Sequence, residues 1–412
     1  MKPTNTDRGG QTPALQPLQP LNLLTRPWVV VLLLGLVYVA LTLVRSGGDP
    51  LAFALVGSRY EAGDPQGTEG YDGQFSYFIA RDPLGGWQHC DVPAYRYQRI
   101  LYPLLAWALA LGQPAAVGWT LIAVNLAALV GGTWVTERLL TAHKVSPWYA
   151  LVYGLYGGLV AGLRLDLSEP LALGLMMGAL WGWETRRGGD AERGRRGDAE
   201  RGRRGDAERG RRGEGIWTAV WLALAALAKE TSLVAAAGLG LHLLLERRWR
   251  AALTLTAVVG LPFLAWQGVL WAWLGRPGLG SGGAMATPFE VVPFAGLARV
   301  ATVSWPAFWL LLAIEGPLFV LPTIWALVVS LRDLLRGRRH PWVTILLAQA
   351  MALPFLPFST WREPLAMARL AAGLVAATLL YGGLRRSPRL LRWSLVWLVT
   401  LALLVNESAL PV

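Results

Sequence analysis

Long apolar stretches recur almost without interruption from Pro27 to the end of the chain, and they dictate its architecture. A hydrocarbon core about 30 Å thick is crossed by about 20 helical residues. Lipid offers no partner to an unpaired backbone amide, so such segments fold as helices that satisfy themselves. The runs fall at 27–44, 115–136, 147–163, 168–183, 216–229, 231–245, 251–274, 308–331, 341–358, 364–383 and 392–406. Most are roughly 16 to 24 residues, adequate for a crossing when some helices tilt. The expectation is an all-α polytopic transmembrane helix bundle of about eleven spans, with twelve or thirteen as alternatives.

Charge supports that reading and removes others. Only 16% of the 412 residues are charged and 54% are hydrophobic, against about 25% charge in an ordinary soluble domain. A soluble enzyme and a secreted disulfide scaffold are excluded. Cys90 is the only cysteine, so no intrachain disulfide exists. The four histidines (His89, His143, His242, His340) stand far apart, without metal-ligand spacing. The net charge of +12 comes largely from short basic patches between apolar runs, which is positive-inside patterning rather than nucleic-acid binding.

Those patches orient the chain. Arg138–Lys144, 186–212, Arg247–Arg250, Arg332–Arg339 and Arg385–Arg392 are expected at the cytoplasmic face of the membrane. Residues 1–26, polar and Pro-rich, read as a disordered cytoplasmic tail, and 27–412 as one membrane domain. Within it, 45–98 forms a long external loop with short helices. The run at 99–112 is too short to cross and reads as a re-entrant or interfacial helix. A cytoplasmic low-complexity loop occupies 184–214, where GDAERGRR repeats in tandem from Gly189, Gly197 and Gly205. It reads as a tolerated expansion, or as a tether to lipid headgroups or a partner.

The remaining charges gather on the opposite, non-cytoplasmic face. Asp72 sits in YDGQF, where Asp-Gly is a routine turn signal but flanking glycines also let backbone approach a ligand. Arg96 and Arg99 close the same loop. RLDLSEP brings Asp166 and Glu169 to a helix start, with Ser168 as cap, and the two acids share a face if the helix already includes 166. Glu230 can serve the start of the next helix, but Lys229 has no such structural role and suits an anion. In WREPLAMARL a helix starting near Glu363 would put Arg362 and Arg369 on one face, seven residues apart. A buried guanidinium then calls for a phosphate or carboxylate partner. Gly316-Pro317 reads as the outer break of the 308–331 run, placing Glu315 near this face.

One exposed carboxylate, several cations and many aromatics (Tyr71, Phe75, Tyr77, Phe78, Tyr95, Tyr97) suit sugar transfer from a lipid-linked donor. A carboxylate accepts the proton of the acceptor hydroxyl, and cations stabilise charge growing on the leaving phosphate. The strings YDGQFSYFIARDP, YRYQRILYPLL, DLSEPLAL, AKETS and REPLAMARL together resemble the GT-C superfamily of integral-membrane glycosyltransferases. They are closest in style to a bacterial branch linked to cell-surface glycopolymers, itself distantly similar to dolichyl-phosphate-mannose-dependent mannosyltransferases. The likeness covers most of 28–383.

The resemblance implies inverting transfer from a polyprenyl-phosphate sugar to a glycan or lipid acceptor. It makes Asp72 the catalytic base and Arg96, Arg99, Lys229, Arg362 and Arg369 the donor-phosphate ligands. Tyr71, Gln74, Tyr77, Asp166, Glu169, Glu230 and Glu363 become candidates for acceptor or sugar binding. Many relatives pair two acids in the first loop. The lone Asp72 here weakens the inference of a metal, and no other cofactor is implied. The competing expectations are a transporter or flippase of a lipid-linked sugar, and a surface-glycan polymerase or ligase.

Overall fold

The computed structural model describes residues 25–197 and 204–404, apart from the side chains of 186–214. No strand occurs among the described residues, and the chain is all-helical. Five helices are long and apolar enough to cross a membrane: Pro27–Arg45, Pro114–Ala142, Trp249–Leu274, Trp305–Leu335 and Pro364–Leu384. Shorter apolar helices lie at Gly215–Ala228, Ser232–Leu245 and Pro341–Phe355. At about 1.5 Å per residue the last two fall short of the hydrocarbon thickness.

In chain order, α1 is Pro27–Arg45, and among the helices that follow are α2 Gly73–Arg81 and α3 Pro93–Tyr97 in the first loop and α4 Leu101–Leu109 within the 99–112 run. Next come α5 Val117–Ala142, α6 Gly157–Arg164, α7 Glu169–Gly197, α8 Arg204–Ala228, α9 Ser232–Leu245 and α10 Trp249–Leu274. Further along lie α11 Trp305–Glu315, α12 Leu321–Leu335, α13 Pro341–Ala352, α14 Pro364–Leu384 and α15 Pro388–Trp393, continued by a 3-10 segment over Ser394–Leu404. With nine residues, α4 measures about 14 Å. Residues 1–24 of the expected tail, 198–203 of the repeat and 405–406 of the last run lie outside the described residues. Helical backbone extends into the octad repeat on both sides, to Gly197 and again from Arg204, where sequence suggested only loop.

The core is organised around α14. Eighty-nine per cent of its apolar window is buried, against 17% for α1, so α14 runs through the middle of the bundle and α1 along its surface. Close approach needs small residues. A Cβ on Gly158 would lie 2.4 Å from the Ala368 carbonyl oxygen, so only glycine lets α6 touch α14 there. The Tyr156 hydroxyl donates to that same carbonyl at 2.7 Å.

Side-chain contacts define two poles. At one, Arg26 meets Glu137 (3.1 Å), His143 meets Glu184 (3.3 Å) and Arg385 meets Asp333 (2.7 Å). Arg386 and Arg339 donate there to the carbonyls of His143 and Leu245. The charged residues of the first loop, the α6–α7 and α8–α9 connections and the start of α14 gather at the other.

One expectation fails. Gly316-Pro317 does not end a helix, because the chain passes from α11 to α12 through a five-residue π turn, Gly316–Val320. Proline cannot donate to the i−4 carbonyl and its ring crowds it. Widening the turn by one residue removes the conflict and keeps the axis continuous. Glu315 therefore lies ten residues, about 15 Å, inside this helix rather than at its outer end. It is fully buried, and neither carboxylate oxygen has a hydrogen-bond partner.

Candidate active site

Asp72 immediately precedes α2, at the N-cap position but with helical backbone angles (φ −52°, ψ −29°) and no side-chain cap. Its carboxylate is therefore free to face the neighbouring segments. Gly73 makes this possible: a Cβ there would lie 1.9 Å from the Leu165 carbonyl oxygen. The start of α2 thus rests directly on the backbone that leads into α7, bringing Asp72 and Glu169 to one pocket.

Two arginines hold Asp72. Arg96 Nη1 donates to Oδ1 at 2.8 Å, and Arg369 Nη2 reaches Oδ2 at 3.4 Å. Arg96 is itself clamped by Asp91, with Nε to Oδ1 at 2.7 Å and Nη2 to Oδ2 at 2.8 Å. Its guanidinium also lies 4.1 Å from the ring centroid of Phe75. Burial on its own would raise the Asp72 carboxyl, but Arg96 and then Arg369 outweigh it and hold the group well below the ordinary carboxylate range. Asp91 is held low in the same way, burial being overcome by its hydrogen bonds and charge contact with Arg96.

Glu169 opens α7 and accepts at one oxygen, Oε1, from both Lys229 Nζ and Arg369 Nε, each at 2.6 Å. Arg369 Nη1 also donates to the Tyr71 hydroxyl (2.9 Å), which donates onward to Glu363 Oε1 at 2.8 Å. Arg99 forms a two-point contact with Glu230 (3.0 and 2.7 Å) and reaches the Tyr95 hydroxyl at 2.7 Å. Five segments far apart in sequence are thus joined in one web of charge. The space among Asp72, Ser76, Arg96, Arg99, Glu169 and Arg369 is only about 20 Å³, enough for roughly one water.

Several sequence expectations are revised. The buried Arg369 finds its partners inside the protein, in Glu169, Tyr71 and Asp72, and so does Lys229, in Glu169. The helix begins at Pro364 with Glu363 as cap, so Arg362 precedes it and does not share a helical face with Arg369. Arg362 is exposed and packs against Phe358, and among the described residues no carboxylate lies within ion-pair distance of it. Asp166 adopts a left-handed backbone (φ 46°), so the helix does not include it and the two acids diverge. Asp166 contacts Tyr102 at 3.5 Å instead, with Asn125 donating to that hydroxyl at 2.7 Å. Glu230 is bound to Arg99 rather than spent at the start of α9.

Gln74 and Tyr77 lie off the pocket. Gln74 bridges the loop backbone, accepting from Gly57 N and donating to Glu69 O. Tyr77 is buried in the packing of α2 against α4 and α5. Asp91, Tyr95, Ser76 and Asn125 also belong to the site or its support, and of these Ser76 and Asn125 were not singled out from sequence. Asn125 could have been found as the one amide in a long apolar run, and the pairing of Asp91 with Arg96 from their five-residue spacing. Among the described residues no group of three or more His, Cys, Asp or Glu is disposed to hold a metal ion. No family model, curated protein or solved structure matches this chain.

Proposed function

We propose that the chain is a membrane glycosyltransferase that moves a sugar from a polyprenyl-phosphate donor to a cell-surface glycan or lipid acceptor, at the pole opposite the arginine patches. One observation carries the reading. The carboxylate of Asp72, itself a third exposed, sits between two arginines that are 8% exposed, one of them near the start of the candidate span α14. Base and phosphate ligands are then neighbours, as direct displacement requires.

In this mechanism the acceptor oxygen attacks the anomeric carbon, its proton passes to Asp72, and the carbon–oxygen bond to phosphate breaks. The electron pair leaves on polyprenyl phosphate, where guanidinium groups stabilise it. Exposed Arg362 receives the donor phosphate first, and Arg369 then exchanges part of its carboxylate contact for phosphate. That exchange has a chemical benefit. Asp72 held by two arginines is a weak base, and surrendering one of them to the donor raises its basicity when acceptor arrives.

The test is donor consumption by purified protein in nanodiscs, offered a panel of polyprenyl-phosphate sugars and a crude surface-glycan acceptor. Release of polyprenyl phosphate by the wild type, reduced at least about 10²-fold in a normally folded Asp72→Asn variant, supports the assignment. Full activity in that variant would remove Asp72 from the mechanism. Lipid moved across the bilayer unaltered would replace the transferase by a transporter.

A further inference from the structure

We propose that the cavity at the arginine-rich pole binds an anionic glycerophospholipid, with its phosphate among arginines and its acyl chains along α12. The cavity is about 630 Å³ and opens between α12, the end of α14 and α15. Its lining is graded. From Leu321 through Trp325 and Val329 one wall is apolar, and it ends at Arg332. The eleven residue steps from Leu321 to Arg332 cover about 16 Å of helix. Arg385, Ser387 and Arg389 close the same end from the other side.

Positive charge is left over there. Asp333 is fully buried and committed, accepting two contacts from Arg385 (2.7 and 2.8 Å), one from the Tyr381 hydroxyl (2.7 Å) and a longer one from Arg338 (3.4 Å). Among the described residues no carboxylate lies within ion-pair distance of Arg332 or Arg389, and both are exposed. Two guanidiniums without counter-ions beside a serine hydroxyl suit a phosphate group. A free phosphate ion would leave the long apolar wall unused, whereas a lipid uses both ends. Trp393 also lines the cavity and is partly open to the surroundings, and an amphipathic ring of this kind suits the headgroup level. The basic pole is also where the positive-inside pattern places the anionic leaflet, whose bulk acidic component is phospholipid.

This site is separate from the charged web around Asp72. Arg385 lies sixteen residues beyond Arg369 along the α14 axis, about 24 Å away. The inference rests on the helices crossing a membrane and not on the reaction assigned to the other pole.

The experiment is native mass spectrometry of the full chain released from nanodiscs of phosphatidylglycerol or phosphatidylcholine. The wild type is expected to retain phosphatidylglycerol and shed phosphatidylcholine. The Arg332→Gln/Arg389→Gln double variant removes two exposed charges and leaves the Asp333–Arg385–Tyr381 contacts alone. It is expected to retain phosphatidylglycerol at least tenfold less. Leu321→Glu, at a position 62% exposed, places a carboxylate at the apolar end and is expected to lower retention without touching the arginines. Equal retention of the two lipids by wild type, or undiminished retention in both variants, would overturn the proposal. Displacement by equimolar polyprenyl phosphate would reassign the lipid, and displacement by millimolar inorganic phosphate would reduce the site to an anion site.

Discussion

Glu169→Gln tests the heart of the charged web, because two cations converge on one oxygen. Lys229 Nζ and Arg369 Nε both lie 2.6 Å from Glu169 Oε1, with side-chain exposures of 3%, 8% and 1% for Lys229, Arg369 and Glu169. Removing one partner of a buried ion pair costs about 3 to 5 kcal/mol, since the other charge stays desolvated. Arg369 keeps Tyr71 and Asp72, so the loss falls mainly on Lys229 and the lower figure, about 3 kcal/mol, is expected. Lys229→Met alone should cost less, because Glu169 retains Arg369. The double variant removes both members of the pair and should come within about 1 kcal/mol of Lys229→Met. A thermodynamic cycle of unfolding free energies, from denaturant titration in mixed micelles, should therefore give a coupling of at least about 2 kcal/mol, as contacting residues do. Additivity within about 0.5 kcal/mol would show that Lys229 and Glu169 do not act as a pair, and the reasoning would be wrong.

Arg96→Gln removes the stronger cation from Asp72, so the carboxyl should rise toward its ordinary value. Because the base must be ionised, the acid limb of the pH–rate profile should move to higher pH, and an unmoved limb would separate Arg96 from the base. Asp72 and Asp91 are both held below their unfolded values, so their stabilisation is complete above about pH 4 and is lost as pH falls further. Thermal midpoints measured from pH 7 to pH 3 should drop at the acid end and recover on return, and a flat curve would contradict the pairing. Gly73→Ala forces a methyl group onto the Leu165 carbonyl and should cost at least about 1 to 3 kcal/mol. Gly131→Ala, with nothing within 4 Å of the added carbon, serves as the neutral comparison, and equal stability of the two variants would refute the contact.

Much of the helical plan is legible because hydrocarbon imposes length and continuity, which apolar runs display directly. The segments around Pro27, Val117, Trp249 and Pro364 read almost as they fold. Gly316-Pro317 misleads for a physical reason: a missing N–H looks like a stop, and only the surrounding packing decides whether the turn widens instead. At the charged pole, sequence identifies the members but not the marriages. Arg369 shows itself as a guanidinium in an apolar run, yet nothing local reveals that Glu169, two hundred residues earlier, is its partner. Asp91 is visible in the sequence as a charge of the first loop, but its pairing with Arg96 exists only once α3 turns Arg96 back upon it. The seven-residue spacing of Arg362 and Arg369 fails since Pro364 starts the helix between them.

The separations inside the web also set a timetable. At about 5 to 20 residues per second of synthesis, Arg369, which lies 297 residues after Asp72, emerges some 15 to 60 s later on that scale. Asp72 does not wait alone, because Arg96 follows within 24 residues. Glu169 likewise receives Lys229 after 60 residues and Arg369 after 200. Asp72 and Glu169 thus each have one early cation and one late one. The early partner keeps the half-made chain from carrying a bare carboxylate at the membrane, and the late partner locks the pole only when the central helix has arrived.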